Sequence, residues 1–257
     1  MKQSLVIVKV GGGIVEQQDT LESLLNDFKT IPGNKLLVHG GGRSASALAG
    51  KLGIETHMVN GRRITDSDML DVVTMVYGGL VNKKIVASLQ ARGLNAIGLS
   101  GADCSTILAD KRPVKDIDYG FVGDVKGVNA GFLKSLLEQE IIPVIAPLTH
   151  DGKGQLLNTN ADTIAGETAK ALASFFRVTL IYCFEKSGVL MDENDENSVI
   201  PYISYYDFPR LVQDGTISGG MIPKLQNAFE ALQAGVSSVL ITKAGNLDKL
   251  TGTTIAL

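Results

Sequence analysis

Lys9 stands in an apolar run, Leu5–Val10, that leads directly into Gly11, Gly12 and Gly13. Glycines after a strand let backbone N–H groups approach an anion with no Cβ in the way, and a following helix would turn its positive end the same way. The arrangement recurs at Leu36–Gly42, where an apolar run ends in His39-Gly40-Gly41-Gly42 and a helix is expected near Ser44. Two such turns at one edge of a parallel sheet would hold an extended, multiply charged ligand. A second lysine, Lys224, follows Ser218-Gly219-Gly220-Met221-Ile222-Pro223. Pro near the first helical position puts Lys224 in a first helical turn, where a cation opposes the helix dipole and calls for an anionic partner.

Two further stretches carry polar groups at the starts of helices. Asn60-Gly61-Arg62-Arg63-Ile64-Thr65-Asp66 reads as a turn followed by a helix capped by Thr65 or Asp66, and its paired arginines suit bidentate binding of a carboxylate as well as they suit a solvated loop. Leu157-Asn158-Thr159-Asn160-Ala161-Asp162 reads as a strand end and a helix start, with one of its Asn or Asp residues serving as the cap. Gly40-Gly41-Gly42-Arg43-Ser44-Ala45 satisfies a relaxed dinucleotide fingerprint, but it follows the second strand, and the next segment ends in Asn60 rather than an acid. The chain contains no GxxxxGK[ST] motif, which excludes an ordinary P-loop nucleotide site.

These residues need a scaffold, and the hydrophobic pattern describes one. Apolar runs at Leu5–Val10, Lys35–His39, Leu94–Leu99, Ile142–Ala146, Val178–Cys183 and Ser238–Ile241 alternate with segments of helical period. That alternation predicts an α/β fold, an αβα sandwich with a mostly parallel central sheet. Leu21, Leu24, Leu25 and Phe28, and again Leu225, Ala228, Phe229 and Leu232, mark buried helix stripes. Val122–Val128 and Gln155–Asn158 read as hairpins attached to the main sheet that could lie over a site. The acidic run Met191–Ser198 reads as a solvated loop. At 257 residues, 44% of them hydrophobic and 20% charged, the chain suits a single domain, 1–257, with a soft boundary between lobes near residue 175. A net charge of −3 gives no global attraction for nucleic acid or an anionic membrane. The N-terminal apolar run is too short for a signal core or a membrane span, so a cytoplasmic protein is expected. Cys104 and Cys183 are too far apart in sequence to form a redox pair and are expected to be packing residues.

Taken together, six collinear motifs resemble the amino acid kinase family: Lys9-Val10-Gly11-Gly12, the turn ending in Gly41-Gly42, Asn60-Gly61 with Arg63 and Thr65, Gly98–Gly101, Asn158 through Asp162, and Gly219-Gly220-Met221 with Lys224. The match covers nearly the whole chain and fits best the branch that phosphorylates the side-chain carboxylate of an N-acylated glutamate. The resemblance implies two lobes, 1–175 for the acyl amino acid and 176–257 for ATP, with Mg2+ accompanying the nucleotide and no protein residue assigned as a metal ligand. It implies that Lys9 and Lys224 neutralise the transferring phosphoryl and that Asp162 sits between them. Gly11 and Gly12, with Gly219 and Gly220, would cradle phosphate; Gly41 and Gly42, Arg63 and Asn158 would hold the substrate. A homodimer insensitive to arginine is expected, because the first strand begins by about Leu5 where arginine-inhibited relatives carry an extra helix.

Two departures from the family pattern bear on specificity. Phe184-Glu185-Lys186-Ser187 replaces a Thr/Ser-Asp pair, so Lys186 is expected to make its own contact with the nucleotide. Arg62 stands where relatives commonly have an apolar residue near the acyl group, and so raises an N-succinyl acceptor as the alternative to N-acetyl. A free-glutamate kinase is the nearest enzyme rival, and a non-catalytic sensor of ATP or an acylated amino acid is the rival outside enzymes. The presence of Lys9, Asp162 and Lys224 together argues against the sensor.

Overall fold

The computed structural model describes residues 2–257 other than 60, 248 and 250. The chain opens with β1 (Ser4–Val10), the short α1 (Gly12–Glu16), α2 (Gln18–Thr30), β2 (Asn34–His39) and α3 (Gly42–Lys51). A small ribbon, β3 (Met58–Val59) and β4 (Arg62–Arg63), precedes α4 (Ser67–Val73), a π-helical stretch Thr74–Val81 and α5 (Asn82–Gln90). Then come β5 (Ala96–Leu99), β6 (Ile107–Lys111), β7 (Gly123–Val128), α6 (Ala130–Glu138), β8 (Ile142–Ile145), β9 (Leu148–His150), β10 (Leu156–Asn158) and α7 (Ala161–Leu172). The remainder is β11 (Arg177–Phe184), β12 (Tyr202–Ser204), α8 (Phe208–Gln213), α9 (Met221–Gln233), β13 (Ser238–Lys243) and β14 (Thr253–Ala256).

Eight strands form one sheet in the order β12-β14-β13-β11-β1-β2-β8-β5. Each named pairing in it is parallel except that of β13 with β14. β1 lies between β11 and β2, with Lys9 level with Tyr182 on one side and Val38 on the other. Its near-continuous apolar sequence follows from burial on both faces. One core packs Leu5, Ile7 and Leu36 with Ile164, Leu180 and Leu225. The other packs Val8, Val10 and Leu37 with Phe28, Val76 and Ile181. The predicted α2 stripe is buried at all four positions; in α9 Leu225, Ala228 and Phe229 are buried, while Leu232 is only partly so.

The two predicted hairpins do not belong to the main sheet. They form a separate four-stranded sheet, β10-β9-β6-β7. The reason is β9, three residues long, which pairs with both β10 and β6 and so draws the hairpins together. The continuous helical run Ser67–Gln90 is long and apolar enough to cross a membrane by length and composition, but its Met69, Val72, Val76, Tyr77, Ile85 and Leu89 are buried against the protein, as in a core helix. Cys183 is buried, and burial pushes its thiol up to about 12, which suits packing. Cys104 is not a packing residue: it is exposed on a 3-10 turn, Asp103–Ser105, with φ 49°. Met191–Ser198 is a largely exposed loop.

Candidate active site

The turns that end β1 and β2 meet. A Cβ on Gly12 would lie 3.5 Å from the backbone nitrogens of both Gly41 and Gly42. Gly12 and Gly42 are the first residues of α1 and α3, and the first N–H groups of a helix have no intrahelical acceptor, so both remain free to receive an anion. Gly11 differs: its N–H donates to Cys183 O at 3.0 Å, so the edge of β11 has already taken the donor that the glycine pattern offered. Gly41 has a second reason to be glycine, since a Cβ there would come within 2.9 Å of the Tyr77 ring.

Lys9 is buried at the end of β1, with Nζ 2.7 Å from Asp162 Oδ1. Asp162 is brought there by α7, whose start is fixed by Asn160: the Asn160 side chain accepts from the N–H groups of Asp162 and Thr163. Lys224, in the first turn of α9, approaches from the other half of the sheet. Its Nζ is 3.9 Å from the centroid of Phe184, and Lys9 Nζ is 4.6 Å from the same ring. Phe184 in turn stacks on Tyr182, centroids 6.1 Å apart and 6° from coplanar. The lysines therefore share one aromatic ring, and among the described residues Asp162 makes its ion pair with Lys9 rather than bridging the two. Burial lowers the Lys224 pKa, Asp162 opposes that shift, Lys9 adds to it, and Glu185 opposes it.

A cavity of about 580 Å3 is lined by Lys9, Asp162, Phe184, Lys186 and Lys224 together with Gly11, Gly12 and Gly13. Gly219 and Gly220 stand exposed just before α9 and do not line it. Lys186 lines the cavity with its Nζ 3.3 Å from Glu193 O. Arg43 and Glu185, an ion pair at 3.1 Å, close over Gly13, where a Cβ would collide with the Glu185 carboxylate. Asp162 and Glu185 are the carboxylates of this lining, each already paired with a cation. Among the described residues no three His, Cys, Asp or Glu side chains cluster to hold a metal. A Mg2+ ion here would depend chiefly on nucleotide phosphates and water, the usual manner of that ion.

Gly12, Gly42 and Gly61 also line a second cavity, of about 200 Å3, so the two open into each other. Arg63 is buried in its wall. The guanidinium donates to Gly42 O at 2.7 Å and Ser46 Oγ at 2.8 Å, and reaches Thr56 Oγ1 at 3.4 Å. All are neutral acceptors, and among the described residues no carboxylate comes within ion-pair distance of Arg63. Asn158 lines the same cavity and donates to Thr65 Oγ1 at 2.9 Å. Thr65 is thereby occupied, and Asp66 caps α4 by accepting from Met69 N at 2.8 Å. Asn60 lies outside the described residues.

Lys9, Gly11, Gly12, Asp162, Lys186 and Lys224 thus gather in one cavity, and Gly41, Gly42, Arg62, Arg63 and Asn158 in its neighbour. Sequence reasoning missed Tyr77, Arg112 and Thr159 in the second cavity and the aromatic role of Phe184 in the first. Phe184 could have been found as an aromatic at the carboxyl end of a strand beside β1; Arg112, in a polar stretch far from the other motifs, gives no local signal.

The sequence model of the amino acid kinase family matches residues 4–243. An acetylglutamate kinase of Phocaeicola vulgatus is 68% identical over 255 residues, covering 99% of each chain. An acetylglutamate kinase of Cytophaga hutchinsonii is 56% identical over 249 residues, covering 96% of this chain and 94% of the relative. Among solved structures, the smu.665 protein of Streptococcus mutans UA159 superposes with a TM-score of 0.80 at 30% identity, covering 98% of both chains.

Proposed function

The chain belongs to the amino acid kinase family, and we propose that within it this protein transfers the γ-phosphoryl group of ATP to the side-chain carboxylate of N-acetyl-L-glutamate, giving N-acetylglutamyl 5-phosphate for arginine biosynthesis. Relatives at 68% and 56% identity over nearly the full chain carry the name acetylglutamate kinase, which supports that acceptor. The observation that carries the reading is Arg63, a buried guanidinium without a carboxylate partner among the described residues, in a cavity that opens onto two lysines. A buried cation left with neutral acceptors is costly unless an anion completes it, and the α-carboxylate of an amino acid does so with bidentate geometry.

With that carboxylate on Arg63, the side-chain carboxylate is free to extend through the shared glycine wall toward Lys9 and Lys224. It is ionised near neutral pH, so the reaction needs no general base. Phosphoryl transfer then becomes positioning and charge compensation: the N–H groups of Gly12, Gly41 and Gly42 receive oxygens, and the lysines offset the repulsion between an anionic nucleophile and an anionic phosphate. Asp162 orients Lys9, and Phe184 keeps both ammonium groups beside the transferred group without adding an anion. ATP occupies the cavity around Lys186 and the C-terminal lobe, 176–257, while the acyl amino acid occupies the N-terminal lobe, 1–175. When bound with the nucleotide, Mg2+ would supply charge neutralisation of its phosphates.

A cytoplasmic homodimer insensitive to arginine belongs to the same reading. The half-exposed Met75 and Leu80 on the Ser67–Gln90 run offer apolar surface to a second copy, and light scattering with an arginine inhibition curve tests both points. The activity is tested by trapping the acyl phosphate as a hydroxamate with ATP and Mg2+. Turnover of N-acyl-L-glutamate but not of free glutamate or aspartate is expected. Nucleotide and acyl amino acid binding without turnover would instead favour a sensor.

A further inference from the structure

We propose that the acyl end of the site is an anion subsite formed by Arg62 and Arg112, so that the preferred acceptor is a glutamate whose N-acyl group ends in a second carboxylate, of the N-succinyl type. This rests on the kinase and the N-acylglutamate acceptor of the functional reading above and puts a dicarboxylic acyl group in place of the acetyl group.

The argument is a charge count along a continuous groove. The cavity that contains Arg63 is also lined by Arg62 and Arg112, and no Asp or Glu lines it. Arg62 and Arg112 are in turn the residues it shares with an outer cavity of about 560 Å3, whereas Lys9 and Lys224 line only the cavity on the inner side. The groove therefore runs from the two lysines, past Arg63, to Arg62 and Arg112. An N-acetylglutamate has two carboxylates, one for the lysine end and one for Arg63. Its acetyl methyl group would leave the third cationic station with nothing to bind.

Arg62 and Arg63 are successive residues of β4, so the strand sends them to opposite faces. Arg63 is buried in the wall, where its guanidinium donates to Gly42 O and Ser46 Oγ, while Arg62 is exposed at the rim, paired through its backbone with Val59, and its guanidinium has no hydrogen-bond or ion-pair partner among the described residues. Arg112 is held in place by Asp124, with Nε donating to Oδ1 at 3.0 Å, and its guanidinium lies 5.4 Å from the Tyr119 ring centroid. In the outer cavity Arg62, Arg112 and Lys115 face Asp116 and Asp124, leaving one positive charge uncompensated. A methyl group gains nothing from that charge. A carboxylate gains a charge-assisted, bidentate pairing, which arginine suits better than lysine does.

The test is steady-state kinetics with N-acetyl-, N-butyryl- and N-succinyl-L-glutamate, the butyryl compound matching the added length without the charge. The expected result is a kcat/KM for the succinyl substrate about 10- to 100-fold above that for the butyryl one, the range of a charged hydrogen-bonded contact. Arg62→Leu should collapse that ratio, Arg62→Lys should keep some of it, and Arg62→Glu should reverse it. Arg112→Gln provides a second variant, with circular dichroism confirming that each is folded. Wild-type turnover of N-acetyl- or N-butyrylglutamate equal to or better than that of N-succinylglutamate overturns the subsite while leaving the kinase intact. An unchanged ratio in both Arg62→Leu and Arg112→Gln also overturns it. No turnover of any N-acyl substrate overturns the functional reading itself.

Discussion

Lys9 and Lys224 bring two positive charges to one cavity, and among the described residues only Lys9 receives a carboxylate at contact distance. What makes this tolerable is Phe184, whose ring lies 4.6 Å from one ammonium and 3.9 Å from the other and presents its electron-rich face without filling the site with a competing anion. An incoming phosphate then meets two incompletely compensated cations. Lys9→Ala or Lys224→Ala should each lower kcat by roughly 10²–10³-fold, the effect of removing one preorganised charge donor. Either variant retaining near-normal kcat would remove that lysine from the mechanism. Lys224 should also set a pH response. Burial lowers the Lys224 pKa below the ordinary lysine value of 10.5, and the cation is the useful form. Activity should therefore be full at lower pH and fall as pH rises through that lowered pKa. Lys224→Arg, which stays protonated, should shift the alkaline limb upward even if its kcat is reduced. A limb at the same pH in wild type and Lys224→Arg would assign it to another group.

The elements around Arg63 are tied together by backbone contacts that leave no room for a side chain. Gly120 adopts φ 71°, and a Cβ there would lie 2.2 Å from Thr65 O. Thr65 N donates to Tyr119 O at 2.9 Å and Phe121 N to Thr65 O at 2.7 Å, so this crossing joins the segment after β4 to the four-stranded sheet. Gly120→Ala should cost on the order of 1–3 kcal/mol from backbone strain and collision, and should raise KM for the acyl amino acid more than KM for ATP. Equal change in both KM values would show that the crossing does not act on the acyl pocket selectively. The sequence made some of this architecture legible and left the rest hidden. The six apolar runs became strands of the main sheet because each is bounded by polar or turn residues, a pattern local to the run, and all but the edge strand β5, where Ile97 is exposed, are buried along most of their length. The second sheet was not legible, because β9 is short and its pairing with β6 joins segments about forty positions apart. The π-helical stretch Thr74–Val81 carries no compositional mark, since a change of hydrogen-bond register leaves the apolar residues looking like any buried helix. The lysines and Arg63 were legible through the glycines and helix starts beside them. Arg112 and Tyr77 reach the site by tertiary placement alone.

At the scale of the molecule, β1 joins the two halves of the chain: its neighbours in the sheet are β2 from the N-terminal half and β11 from the C-terminal half. The site lies at the ends of those strands, so the residues that meet there depend on the integrity of one sheet, and urea unfolding should appear as a single transition by far-ultraviolet and near-ultraviolet circular dichroism. That transition should carry the signature of His39, fully buried at the end of β2. Its Nδ1 lies 2.7 Å from Gly40 O, and Asn82 Nδ2, 3.1 Å from Nε2, is itself held by Val144 O at 2.9 Å. Asn82 donating to Nε2 leaves the proton on Nδ1, which then donates to Gly40 O. Burial lowers the His39 pKa from 6.5 to about 4, the Gly40 carbonyl opposes the shift, and Lys83 adds to it. Between those two values the unfolded chain binds a proton that the folded one does not, so this contribution is fully present above pH 6.5 and is lost as pH falls toward 4. The full loss would be roughly 3 kcal/mol at about 1.4 kcal/mol per pKa unit. His39→Gln keeps a polar side chain but cannot titrate, so its stability should fall less steeply between pH 6.5 and 4.5 than that of the wild type, the carboxylates common to both proteins cancelling in the comparison. Identical slopes would mean that His39 is protonated in the fold and that the junction between β2 and the glycine turn accommodates a buried cation.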